Sequence, residues 1–211
     1  MQKRWEIVSE LNVAEKALKE HIVSEIKCPD MIAEMLLRKN LTNIDEINKY
    51  FNPSLEDIND PFIFADMQKA VERIVKAIDN KEFITVFGDY DVDGTTSTAL
   101  LYLGLSKIGA IVDFYIPHRM IDGYGLSAAS IDQIKASDTS LIISVDCGIS
   151  AIDEIDYINS LGMDIIVTDH HNPKSELPNA LALINAKIES CNYPYKELAG
   201  VGVAYKLLIA V

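Results

Sequence analysis

Positive charge is what this chain has least of: 19 lysines and arginines stand against 32 aspartates and glutamates, a formal net charge of −13. A surface that grips nucleic acid by counterion release alone is thereby excluded. A polyanionic substrate is not, provided that bound metal ions supply the missing cation. Cysteine is scarce as well. Cys28, Cys147 and Cys191 are odd in number and far apart, which argues against a disulfide framework and for reduced thiols in a cytoplasmic protein. No apolar run approaches the ~20 residues that a membrane-spanning helix needs. The opening Met1-Gln2-Lys3-Arg4-Trp5-Glu6 leads into a charged helical pattern, not into the apolar core of a signal peptide. Internal repeats and low-complexity tracts are missing too.

What is present suffices for one α/β domain with a modest appendage: 211 residues, 49% hydrophobic and 24% charged. Residues 1–80 read as a helical amino-terminal extension without a chemical motif. Pro29-Asp30 opens a pattern with Ile32, Leu36 and Leu37 on one face, and Asn40 stops it. Phe51-Asn52-Pro53-Ser54 and Asp60-Pro61 punctuate a loop. From 81 to 211 the pattern alternates strand and helix. Strands are predicted over 83–88, 111–116, 140–145, 164–168 and 181–184, and helices over 94–108, 127–136, 150–161 and 199–211. Continuous Val/Ile-rich strands between amphipathic helices imply a doubly wound, mainly parallel five-stranded sheet covered on both faces. Right-handed crossovers in the order 2-1-3-4-5 would set strands 1, 3 and 4 side by side, with ligands beyond their carboxyl ends.

Those three strands are the ones that end in chemistry. The first runs into Gly88-Asp89-Tyr90-Asp91-Val92-Asp93-Gly94, the third into Asp146-Cys147-Gly148, the fourth into Asp169-His170-His171. Carboxylates crowded at ~4 Å repel by roughly 1 kcal/mol in water and ~4 kcal/mol at an effective dielectric of 20. A divalent ion turns that cost into a binding site, and oxygen with imidazole donors suits hard or borderline metals. The Asp-rich stretch is no calcium-binding EF-hand loop. Its twelfth position is Leu100 where a bidentate Glu is required, and a strand precedes it. One aspartate there would be a helix cap favoured by the dipole; three at alternate positions point to metal ligation by Asp91 and Asp93, with Asp89 either a ligand or an orienting group. A phospho-acceptor role for Asp146 wants a lysine directly after the fifth strand, where only Lys187 is near, and the double histidine argues against it.

Two further loops carry candidate substrate contacts. Between the second strand and its helix, His118 and Arg119 suit phosphate, and Gly123-Tyr124-Gly125 lets backbone approach a ligand. Gly200 and Gly202 lie at a helix start whose amides suit an anion, or simply permit close packing.

Taken together, the motifs after strands 1, 3 and 4, with Gly123-Tyr124-Gly125-Leu126 and Leu198-Ala199-Gly200-Val201-Gly202-Val203-Ala204-Tyr205-Lys206-Leu207, resemble the DHH phosphoesterase superfamily. Within it they are similar to the bacterial exonucleases specific for single-stranded DNA. That resemblance implies two ions, Mn²⁺ or Mg²⁺, held by Asp91, Asp93, Asp146 and His170. Asp146 would bridge them, and His171 would lie beside metal and phosphate. It implies stepwise hydrolysis of single-stranded DNA from the 5′ end in repair and recombination, with replication and repair proteins as further partners. Alternatives are a phosphatase or oligonucleotidase for small nucleotides or pyrophosphate, and a non-catalytic scaffold with the same fold. Two departures accompany it. Related phosphatases often place a histidine ligand where this chain has Phe87, and the superfamily's fourth metal-binding aspartate would follow Val211. The expectation is therefore an amino-terminal piece of a longer enzyme, with little activity by itself.

Overall fold

The computed structural model describes residues 9–118 and 125–211. Contacts divide it into two compact units, at Ile58/Asn59. The first contains α1 (Val13–Ile26), α2 (Asp30–Arg38) and α3 (Ile44–Phe51). Asn12 and Asn43 cap α1 and α3 by accepting from backbone amides of the first turn. Ile22, Ala33, Leu36 and Ile47 form a small core of their own.

The second unit begins with α4 (Met67–Asp79), which the sequence had grouped with the extension but which packs with the sheet through Met67, Ala70, Ile74 and Ala77. Then follow β1 (Phe83–Phe87), α5 (Val92–Lys107), β2 (Ile111–Tyr115), α6 (Ala128–Ala136), β3 (Thr139–Val145), α7 (Ile152–Ser160), β4 (Asp164–Thr168), β5 (Ala182–Ile184) and α8 (Gly200–Ala210). All four pairings are parallel and the order is β2-β1-β3-β4-β5, as the sequence implied.

Side chains alternate across the sheet with the strand period of two. Ile84, Val86, Leu141, Ile143, Val145, Ile166 and Ile184 join the core beneath α4, α5 and α8. Phe87, Ile142, Ile165 and Val167 join that beneath α6 and α7. β1, β3 and β4 are buried on both faces, which explains why they read as unbroken apolar runs, whereas the edge strand β2 leaves Ile111 and Phe114 exposed. Each fully buried isoleucine contributes about 1.5–3 kcal/mol by leaving water. Among the described residues no helix is long and apolar enough to cross a membrane.

At the end of the sheet away from the acidic motifs, Arg73 of α4 reaches two chain segments. Its Nε donates to Asp164 at 2.6 Å and its Nη2 to Glu82 at 2.6 Å. Asp164 belongs to the acidic stretch with no lysine or arginine between Lys135 and Lys174, and here it serves the scaffold, not the site. Both carboxylates keep contact with solvent, so the pairs are partly screened. Arg73→Met is expected to lower unfolding free energy by about 1–2 kcal/mol in urea titration, with an unchanged denaturant slope; an unaltered midpoint would refute this.

Candidate metal centre

Each of the three central strands delivers its acidic group through a different local device. After β1, Asp91 caps α5, Oδ1 accepting from the Gly94 amide at 2.9 Å. Asp89 is buried, and its Oδ1 accepts from the Tyr90 amide at 2.8 Å. Gly94 is required there: a Cβ would lie 2.6 Å from the Asp89 Cβ and carbonyl oxygen.

After β3, Asp146 adopts φ +59°, a left-handed backbone that a non-glycine residue holds at a cost of order 1–3 kcal/mol. The surroundings enforce it. The Asp146 amide donates to Thr168 O at 2.9 Å, extending the β3–β4 ladder by one rung, and Ser144 Oγ donates to Cys147 O at 3.0 Å. Asp146 is 1% exposed.

After β4, the turn is organised by Asp169, 1% exposed. Its carboxylate accepts from the amides of Ile149, His170 and His171 and from the His171 ring. The sequence drew attention to Asp169 at a strand end without a role at the site. An aspartate whose side chain satisfies the next two amides is the turn pattern that would have marked it.

These devices converge. Donor atoms of Asp89, Asp91 and Asp146 all lie within 4.8 Å of one another, as do donor atoms of Asp146, His170 and His171. Asp146 belongs to both groups. His170 Nε2 stands 3.1 Å from Asp146 Oδ1 and 3.7 Å from Asp93 Oδ2.

The histidine tautomers follow from their partners. His170 Nδ1 is 3.1 Å from Leu198 O, and a carbonyl only accepts, so Nδ1 carries the proton. Nε2 then turns a lone pair toward the Asp146 oxygen, and a proton or a metal cation between them relieves that contact. His171 Nδ1 donates to Asp169 at 2.7 Å, leaving its Nε2 as a donor to metal or substrate.

Asp93 is held by α8. Its oxygens accept from the Gly200 and Val201 amides at 2.6 and 2.7 Å, a carboxylate at a helix amino terminus. The Gly200 amide expected to meet a substrate anion thus meets an internal one instead. Gly200 also cannot be enlarged, since a Cβ would lie 2.7 Å from Asp146 Oδ1. Gly202 faces the Leu198 side chain, and His118 lies exposed past β2. Arg119 and Tyr124 fall outside the described residues. Phe87, at the position of the alternative histidine ligand, is a core residue stacked on Tyr115 with ring centroids 5.5 Å apart.

Burial pushes the Asp146 carboxyl up to about 7, and the Asp93 and Asp91 carboxylates push it in the same direction. A buried carboxylate repelled by its neighbours and flanked by imidazole lone pairs is a donor set that suits a divalent cation.

The DHH family, N-terminal domain, matches residues 83–210. The chain belongs to the DHH family. The single-stranded-DNA-specific exonuclease RecJ of Bacillus subtilis is 40% identical over 208 residues, covering 99% of this chain and 26% of that protein. RecJ of Escherichia coli is 46% identical over 146 residues, 69% of this chain and 25% of the other. Among solved structures, RecJ in complex with Mn²⁺ from Thermus thermophilus gives a TM-score of 0.71 at 25% identity, over 98% of this chain and 28% of that one. An exonuclease RecJ bound to manganese gives 0.62 at 35% identity, over 68% and 36%. The chain thus spans about a quarter of the length of the curated relatives it matches.

For the metal-free DHH domain the raised Asp146 pKa has a stability consequence. The folded state holds this proton up to about pH 7, whereas the unfolded chain releases it near 3.8. Stability therefore falls as pH rises between those values. Asp146→Asn removes the loss and, with solvent screening discounted, is expected to stabilise the metal-free protein by about 2 kcal/mol at pH 8. Denaturant titrations at pH 4 and pH 8 check this; equal effects at both would contradict it.

Proposed function

We propose that this chain supplies the metal-binding site of an exonuclease that hydrolyses single-stranded DNA from its 5′ end. The observation that carries the reading is Asp146, shared between an all-carboxylate cluster and a cluster with two histidines. Asp89, Asp91 and Asp146 would hold one divalent ion; Asp146, His170 and His171, with Asp93 beside them, would hold a second. Mn²⁺ or Mg²⁺ fits this oxygen and imidazole set, and the names of the RecJ relatives support both the metal and the single-stranded substrate. Bound there, two such ions supply a water activated at neutral pH and positive charge for the attacking and leaving oxygens of an in-line phosphodiester displacement.

The chain's own residues prepare that chemistry. Leu198 O and Asp169 engage the Nδ1 atoms, so that each neutral ring presents its Nε2 lone pair for a metal. Asp146 is fixed in its strained turn by Thr168, so its position does not depend on a flexible loop. Asp93 couples the centre to α8, so that the helix closes one wall. The buried Cys147 thiol, its pKa pushed well up by burial and then by Asp169, stays protonated beside the site and competes for no metal. The setting proposed is the cytoplasm, in DNA repair and recombination together with replication and repair proteins.

In the protein translated from its whole reading frame, Asp146→Ala is expected to reduce Mn²⁺-dependent release of nucleotides from 5′-labelled single-stranded DNA more than a hundredfold. Retention of a third of the activity would contradict the shared role. For the unsubstituted protein, Mn²⁺ at a hundred times its dissociation constant should add about 2.7 kcal/mol of stability; Asp146→Ala should show almost none of that gain.

A further inference from the structure

Among the described residues, a cleft lies on the β5 side of the sheet's carboxyl end, next along the chain to the histidine turn. Its walls are the segment that follows the histidines, Pro173 to Leu177, and the segment that follows β5, Lys187 to Ser190. The volume is about 610 Å³. Pro173, Leu177 and Ile188 are its apolar lining residues, and Lys174, Ser175, Lys187 and Ser190 line it with polar groups. Glu189 also lines the cleft, and Lys187 Nζ lies 3.8 Å from Glu197, a carboxylate left mostly to water.

The cleft is tied to the metal centre through a buried relay. Asn185, fully buried, donates from Nδ2 to His171 O at 2.9 Å and accepts from the Lys187 amide at 2.8 Å on Oδ1. The lysine segment is therefore registered on the histidine turn by two hydrogen bonds through one side chain. Charge makes the placement specific. From Ala136 to Val211 the chain has only four basic residues, Lys174, Lys187, Lys196 and Lys206. Lys206 is buried and donates to Asn59 O at 2.6 Å, and Lys196 donates to Cys191 O. Lys174 and Lys187 are the two that line the cleft. Placing two cations beside so acidic a centre gives a polyanion a second anchoring point next to the metals.

Resting on the nuclease reading, we infer that this cleft seats one nucleotide unit of the substrate strand next to the cleaved one. Lys174 and Lys187 hold its phosphate, and the apolar lining residues contact its sugar and base. Lysine suits this role as a compact point charge, and apolar contact under a base tolerates any sequence.

The test uses the protein from its whole reading frame, Mn²⁺, and a 5′-phosphorylated phosphorothioate oligothymidylate that resists hydrolysis. Each phosphate contact on a single strand contributes about 0.7 to the slope of log affinity against log salt. The Lys174→Gln/Lys187→Gln double variant should flatten that slope by about 0.7 and weaken binding several-fold at low salt. Mn²⁺ affinity, measured separately, should match wild type, which shows that the centre has kept its fold. Strand binding by both proteins with the same slope would overturn this inference alone. A wild-type protein that binds Mn²⁺ but no strand would overturn the nuclease reading and the inference with it.

Discussion

The structure turns on the cost of gathering like charges where water is excluded. Asp146 is buried, faces Asp91 and Asp93, and stands within hydrogen-bond distance of His170. At ordinary protein dielectric each such carboxylate pair costs a few kcal/mol, and the left-handed backbone at Asp146 adds more. The scaffold nonetheless spends hydrogen bonds from Thr168, Ser144 and the β3–β4 ladder on keeping it in place. A divalent cation reverses the sign of that repulsion.

The other parts follow from holding the acids at fixed positions. A parallel sheet puts the ends of β1, β3 and β4 adjacent and points them the same way, so residues more than fifty positions apart meet without long loops. α8 then does two things at once. Its first amides neutralise Asp93, and its glycine lets the helix approach Asp146 more closely than any side chain permits. Asp169 acts as the internal anion of the histidine turn, satisfying three amides and fixing one ring.

Much of this was legible in the sequence because it is local. Apolar runs that end in Asp or Asp-His-His announce buried strands with functional ends, and strand order followed from crossover handedness. Two of the missed features are long-range. Arg73 looks like any helical arginine until Asp164 comes within reach, ninety-one positions away. Likewise, the helix start with Gly200 and Gly202 reads as an anion site or as a stretch that permits close packing, and only the folded chain shows Asp93 on the Gly200 and Val201 amides. Asp169 was visible but undervalued, since a carboxylate serving backbone amides has the same letter as one serving a metal. Phe87, by contrast, belongs to the core, and a carboxylate oxygen of Asp89 lies within 4.8 Å of those of Asp91 and Asp146.

Anomalous diffraction from manganese-soaked crystals tests the shared position of Asp146 most directly. Two peaks are predicted, both within coordinating distance of an Asp146 oxygen, one also touching Asp89 or Asp91 and the other His170. Peaks that leave Asp146 without a metal neighbour would contradict the account.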